Sequence, residues 1–195
     1  VAFFLVGLML IAPAIGLSES VLEDHSESET SARSSSNALL WGAQVAGSGS
    51  TDSVQSIEMD ALGRTYVCGY FYNSATFGNT TLTSSGSYDI FVGRLSNGMW
   101  DWVQKAGGSS SDQCQDIAVD DGGNITITGY YYSSSSATFG SQSVSGRGSN
   151  DIFVVKYNSS GTDQWTKQLG TSSSDIPSGV ATDYSGNVYV TGYTQ

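Results

Sequence analysis

Histidine is almost missing from this 195-residue chain, and the single one is His25. It stands in a serine-rich acidic tract, so the Ser-His-Asp and Cys-His arrangements of nucleophilic catalysis and histidine metal centres find no basis. Lysine and arginine total only 7 against 18 acids. A basic patch is absent, which argues against a nucleic-acid partner. Charged residues make up 13% of the chain and proline appears 2 times, while glycine numbers 24 and tyrosine 11. A low-charge chain rich in Ser, Thr, Gly and Tyr points to strands and turns rather than helices. Calcium motifs are missing too. Neither a D-x-D-x-D-G loop nor a GGxGxD nonapeptide occurs, and Gly107-Gly108-Ser-Ser-Ser-Asp112 only partly resembles the latter. No cofactor or metal is expected, and the chain is not expected to be an enzyme.

The N-terminal segment differs from the rest. Residues 1–17 are apolar without a charge, like the h-region of a secretory signal, with Ala12-Pro13-Ala14 as a small-x-small cleavage pattern. A membrane anchor is the alternative, and either way the expectation is a secreted or cell-surface protein. Residues 18–40 carry five acids, many serines and no apolar period. Such a tract cannot bury enough surface to offset its ordering entropy and is expected to be a disordered linker.

From Trp41 onward one phrase recurs. Asp60 to Tyr70 reads DALGRTYVCGY, Asp120 to Tyr130 reads DDGGNITITGY, and Asp183 to Tyr193 reads DYSGNVYVTGY. Trp41, Trp102 and Trp165 are 61 and 63 residues apart, and Asp52, Asp112 and Asp175 each precede the phrase by 8. Phe77-Gly78 matches Phe139-Gly140, and 12 residues after each Phe comes Asp-Ile-Phe-Val, at Asp89 and Asp151. A fixed phrase at a long period is the mark of a repeat architecture. The Asp-x-x-Gly segments between β-rich runs predict hairpins, with Gly63, Gly123 and Gly186 free to take positive φ. Asn73 and Ser133 open Ser-rich inserts, expected as loops.

The Asp-Ile-Phe-Val strand decides the architecture. Ile90 and Val92 point one way and Phe91 and Leu95 the other, and Ile152, Phe153, Val154, Val155 and Tyr157 repeat the pattern. A sheet apolar on both faces must be covered on both. Four-stranded antiparallel blades stacked around an axis achieve this, so the expected fold is an all-β propeller. Gly69, Gly129 and Gly192 hold one position in each blade, predicted to lie where the neighbouring blade approaches.

Together, D-x-x-G-N-x-Y/T-V/I-T-G-Y, F-G, D-I-F-V, G-x-x-x-W and G-G/T-S-S-S-D resemble the secreted β-propeller repeat family known as SBBP, over residues 41–195. The resemblance implies an extracellular propeller of seven-bladed type, usually part of a larger surface protein, with no shared catalytic residues. The long Ser-rich insert departs from the family pattern. The repeats divide into residues 41–106, 107–170 and 171–195, the last holding only two strands. Against the roughly four to eight blades of a closed ring, the expectation is an incomplete propeller and a piece of a longer protein.

The recurring aspartates and Trp residues read as structural, since every copy has them. Cys68 and Cys114 break the pattern: their counterparts are Thr128 and Thr191, and Val54 and Pro177. An inter-blade disulfide and two buried thiols both remain open. Tyr70, Phe71, Tyr72, Tyr130, Tyr131 and Tyr132 lead into the inserts and are the candidate ligand contacts, suited to stacking on a surface glycan or gripping an extracellular protein. Packing between blades is the competing use. The function that follows is a non-catalytic scaffold or adhesion module. The alternative is the propeller domain of a secreted enzyme whose catalytic residues lie elsewhere. Asn79, Asn124 and Asn158 begin glycosylation acceptor patterns.

Overall fold

A computed structural model describes residues 45–47, 52–132 and 136–195, the first three by backbone alone. The expected signal segment 1–17, the linker 18–40 and Trp41 lie outside the described residues. Every regular element described is a strand. The first blade runs β2 (Ser53–Met59), β3 (Thr65–Phe77), β4 (Thr80–Ser96) and β5 (Met99–Gly108), after a short β1 (Val45–Gly47). The second runs β6 (Asp112–Val119), β7 (Ile125–Tyr132), β10 (Asn150–Tyr157) and β11 (Asp163–Leu169), with β8 (Ser136–Phe139) and β9 (Gln142–Ser145) inserted. The third contributes β12 (Ile176–Thr182) and β13 (Val188–Tyr193). Each blade is an antiparallel meander, paired β2-β3-β4-β5 and β6-β7-β10-β11. The first strands β2, β6 and β12 pack against one another, which sets them on the inner side of the arc. The chain is an incomplete β-propeller.

The two-faced strand behaves as its composition requires. Ile90 and Val92 join Cys68, Ile117, Ile127, Phe153, Val155 and Tyr157 in one buried cluster between the first two blades. Phe91 and Leu95 join Val67, Phe71 and Phe77 in a second cluster on the opposite face. Ile152 and Phe153, adjacent and pointing opposite ways, are 4% and 0% exposed. Burying large apolar side chains on both faces of each sheet supplies most of the cohesion between blades.

The Asp-x-x-Gly turns form three times over. Asp60 Oδ1 accepts from Leu62 N and Arg64 N at 2.9 and 3.0 Å, while Gly63 N donates to Asp60 O at 2.9 Å with φ of 75°. Asp120 and Asp183 repeat these bonds with Gly123 and Gly186. The short aspartate side chain satisfies loop amides that no strand can reach.

Two expectations need correction. The glycines of the Gly-Tyr pairs are not packed on by the neighbouring blade. A methyl at Gly129 would overlap the carbonyl oxygen of Gln113 and stand 2.7 Å from the Phe153 ring, both in its own blade. The cause is a register shift in the first strand, between Cys114 and Asp116, which pushes that carbonyl over the glycine. Gly69 is held the same way by Ser53 and Phe91, where β2 shifts between Val54 and Ser56. The inserts, for their part, are not plain loops. Phe139-Gly140 closes the β8–β9 hairpin, and β8 pairs with β5 of the preceding blade, Ala106 opposite Phe139. In the first blade the Phe77-Gly78 turn does the same against β1, Val45 opposite Phe77. Alternating Ala and Phe make this possible, since Ala75, Phe77, Ala137 and Phe139 are all buried while Thr and Ser face out. Trp102, half-buried, packs against the cluster between the blades, in keeping with the structural role expected of it.

Candidate functional site

The ends of the second strands, the inserts and the connections from fourth to first strand share one mouth of the arc. Tyrosines collect there. Tyr70 and Tyr72 pack against Tyr88 at centroid distances of 5.4 and 5.5 Å. Tyr130 occupies the position of Tyr70 one blade on, and Tyr193 the next. Burial raises the Tyr130 hydroxyl above its ordinary pKa, and the proximity of Tyr70 and Tyr193 adds to this. Tyr132 and Tyr193 are 43% and 51% exposed. Three successive blades thus present one tyrosine each, with Tyr72, Tyr88 and Tyr132 beside them.

Two of the six candidate contacts are removed from this surface. Phe71 and Tyr131 are 0% exposed. Phe71 packs edge-on to Phe77 at 6.3 Å, and Tyr131 lies in the cluster between the blades, its hydroxyl pushed up by burial and by the charge of Asp151. Both faces of these strands are buried over residues 65–69 and 125–129, and only toward their ends do the faces differ: Phe71 and Tyr131 stay buried while Tyr70, Tyr72, Tyr130 and Tyr132 come partly into the open.

Beneath the tyrosines lie paired carboxylates. Asp89 and Asp112, both fully buried, flank Gly107. Asp112 Oδ2 accepts from Gly108 N at 2.7 Å, and Asp89 Oδ2 accepts from Ser85 N at 3.0 Å and pairs with Lys105 Nζ at 3.0 Å. Burial, then the charge of Asp89, pushes Asp112 up to about 6 against the pull of the Gly108 amide. Asp151 and Asp175 repeat the arrangement around Gly170. Among the described residues no group of three His, Cys, Asp or Glu side chains is arranged to hold a metal.

Cys68 and Cys114 meet across the blade boundary, with sulfurs 2.11 Å apart and α-carbons 6.0 Å apart, and both are fully buried. This is a disulfide between the second strand of one blade and the first strand of the next.

One residue of consequence carried no motif. Asp116 stands where the other copies have Ser56 and Gly179. It receives Ser56 Oγ at 2.7 Å on Oδ1 and Val180 N at 2.8 Å on Oδ2, so it joins the inner strands of three blades. Its departure from the repeat was the available signal.

Two comparisons accord with this architecture. Residues 164–195 match the family model SBBP, described as a beta-propeller repeat. An uncharacterized WD repeat-containing protein of Acanthamoeba polyphaga mimivirus is 27% identical over 186 residues, which cover 80% of this chain and 13% of that protein. The chain therefore spans a small part of the length of that relative.

Proposed function

Starting from a chain that carries the SBBP beta-propeller repeat, we propose that it is a non-catalytic extracellular adhesion module that binds a surface glycan on its tyrosine-lined mouth. The observation that supports this reading is the alignment of Tyr70, Tyr130 and Tyr193 on successive blades, with exposed Tyr132 alongside. Tyrosine rings offer a flat apolar face and a polar hydroxyl, the pair of features a sugar ring stacks on and bonds to. Repetition by blade suits a ligand that is itself repetitive, because weak contacts sum when several engage together. Export accords with the buried Cys68–Cys114 disulfide, a bond that persists in oxidising surroundings.

A glycan array on the chain tests the reading. Replacing Tyr72 and Tyr132 together by Ala should abolish the signals, while Tyr184→Ala, at a fully exposed tyrosine on a turn, should leave them. Signals that persist unchanged in the Tyr72/Tyr132 variant reject the tyrosine mouth as the glycan site. An array with no signal moves the proposal to a protein partner.

A further inference from the structure

We propose that Asn79 takes an N-linked glycan when the chain is exported. Three segments carry the Asn-x-Ser/Thr acceptor pattern: Asn79-Thr80-Thr81, Asn124-Ile125-Thr126 and Asn158-Ser159-Ser160. Transfer needs two groups within reach of an enzyme, the carboxamide and the hydroxyl two residues on. The fold withdraws two of the three segments. Asn124 Nδ2 donates to both oxygens of Asp120 at 3.0 Å, and Thr126 is 0% exposed. A sugar on Asn124 would break the bonds that close its turn. Asn158 Oδ1 accepts from Ser160 N and Thr162 N at 3.0 and 2.9 Å. That turn lies in the blade boundary, where the Ser159 carbonyl takes Trp102 Nε1 at 3.2 Å and Gly161 lies against the same indole.

Asn79 is placed differently. It stands at the tip of the hairpin between β3 and β4, in a two-residue turn that Gly78 opens with φ of 57°. Asn79, Thr80 and Thr81 are all exposed. The matching hairpin of the second blade has its tip tied down. There Ser141 Oγ donates to Asp163 Oδ2 at 2.6 Å, and Gln142 Oε1 accepts from Thr166 N at 3.2 Å, both partners lying on β11. Asn79 and Thr80 hold those two positions in the first blade, and Trp100 stands in the place of Asp163. An indole has no acceptor to offer the tip; Trp100 packs edge-on to Phe77 at 5.2 Å. The segment also heads an open edge. Among the described residues, 80–83 of β4 pair with β3 alone, since β5 takes up β4 only from Ile90 onward. A bulky, hydrated sugar at the head of that edge would keep other strands from adding to it.

The co-reactant is an oligosaccharide linked through pyrophosphate to a membrane lipid, presented by a transferase of the export route. Asn79 Nδ2 bonds to the anomeric carbon, and the bond from that carbon to the pyrophosphate oxygen breaks with its electron pair. The lipid pyrophosphate leaves, and the carboxamide proton passes to a base of the transferase. The test is to secrete the chain from a eukaryotic host behind a cleavable signal. Gel mobility before and after peptide N-glycosidase, and mass spectrometry of the peptides, then locate any sugar. One glycan is expected, with Asn79 read as Asp once it is removed. Asn79→Gln and, separately, Thr81→Val should abolish it, and both changes lie at exposed positions where the fold is not at stake. Thr81→Ser, which restores a hydroxyl, should keep it. A wild-type chain secreted without a sugar, a sugar that persists in Asn79→Gln or Thr81→Val, or one mapped to Asn124 or Asn158 overturns the proposal.

Discussion

Ser56 Oγ donates to Asp116 Oδ1 at 2.7 Å across the boundary between the first two blades. The second oxygen of the same carboxylate takes Val180 N at 2.8 Å from the third blade. One side chain therefore ties together strands that no backbone ladder joins. Asp116→Ala leaves Val180 N without this acceptor and should cost about 2 kcal/mol in urea unfolding, with Asp116→Asn losing roughly half as much. Equal stability of wild type and Asp116→Ala would show that these bonds only replace bonds to water.

Asp112 gives stability a pH dependence of unusual sign. Its folded value is raised from 3.8 to about 6, so between those values the native state holds a proton that the unfolded chain releases. Stability should therefore fall as pH rises from about 4 to about 6, by on the order of 3 kcal/mol, and change little from this cause above that. Asp60 and Asp120 act the other way. Burial raises them, but bonds from Arg64 to Asp60, and from Asn124 and Lys156 to Asp120, outweigh it and leave both below 3.8. Their contribution is present above about pH 4 and lost below it. Asp112→Asn should flatten the curve between pH 4 and 6 in chemical denaturation; an unchanged slope would assign the effect elsewhere.

Gly129→Ala should destabilise the fold by about 3 kcal/mol, since the added methyl meets the Gln113 carbonyl and the Phe153 ring, both fixed by the sheet. Gly63→Ala is the contrast. At φ of 75° with nothing within 4 Å of the methyl, it carries only backbone strain, about 1 kcal/mol. Thermal unfolding of the two variants should rank them in that order.

The Cys68–Cys114 disulfide closes a sequence separation of 46. Loop-closure entropy gives it about 4 kcal/mol against the reduced chain. The unfolded, unreduced protein should yield no thiol from these residues to a thiol reagent, and Cys68→Ser with Cys114→Ser should lower the urea midpoint accordingly. A full complement of thiols in the untreated protein would contradict the bond.

Much of this fold can be read from spacing. The Asp-x-x-Gly turns, the four strands of a blade and the opposite faces of Ile152 and Phe153 follow from local chemistry: short acceptors near loop amides, glycine where φ is positive, apolar residues at period 2. The candidate site was only half legible. Tyr70, Tyr72, Tyr130 and Tyr132 reach the mouth, but Phe71 and Tyr131 stay buried, and where cover ends on one face of a strand apolar on both is set by the neighbouring blade rather than by the alternation. The pairing of β8 with β5 was hidden because a Ser-rich hairpin looks the same whether its edge meets water or a neighbouring strand.

What the chain determined by itself is periodicity: which residues repeat, which face they take, and which departures, such as Cys68, Cys114 and Asp116, stand out. Tertiary structure alone decided what those departures meet. Asp116 finds Ser56 and Val180, Cys68 finds Cys114, and Asp151 comes to lie beside Asp175. These partners lie 24 to 64 residues apart. Their meeting depends on how one blade rotates onto the next, and that angle is set by the packing of both apolar faces at once rather than by any local run of residues.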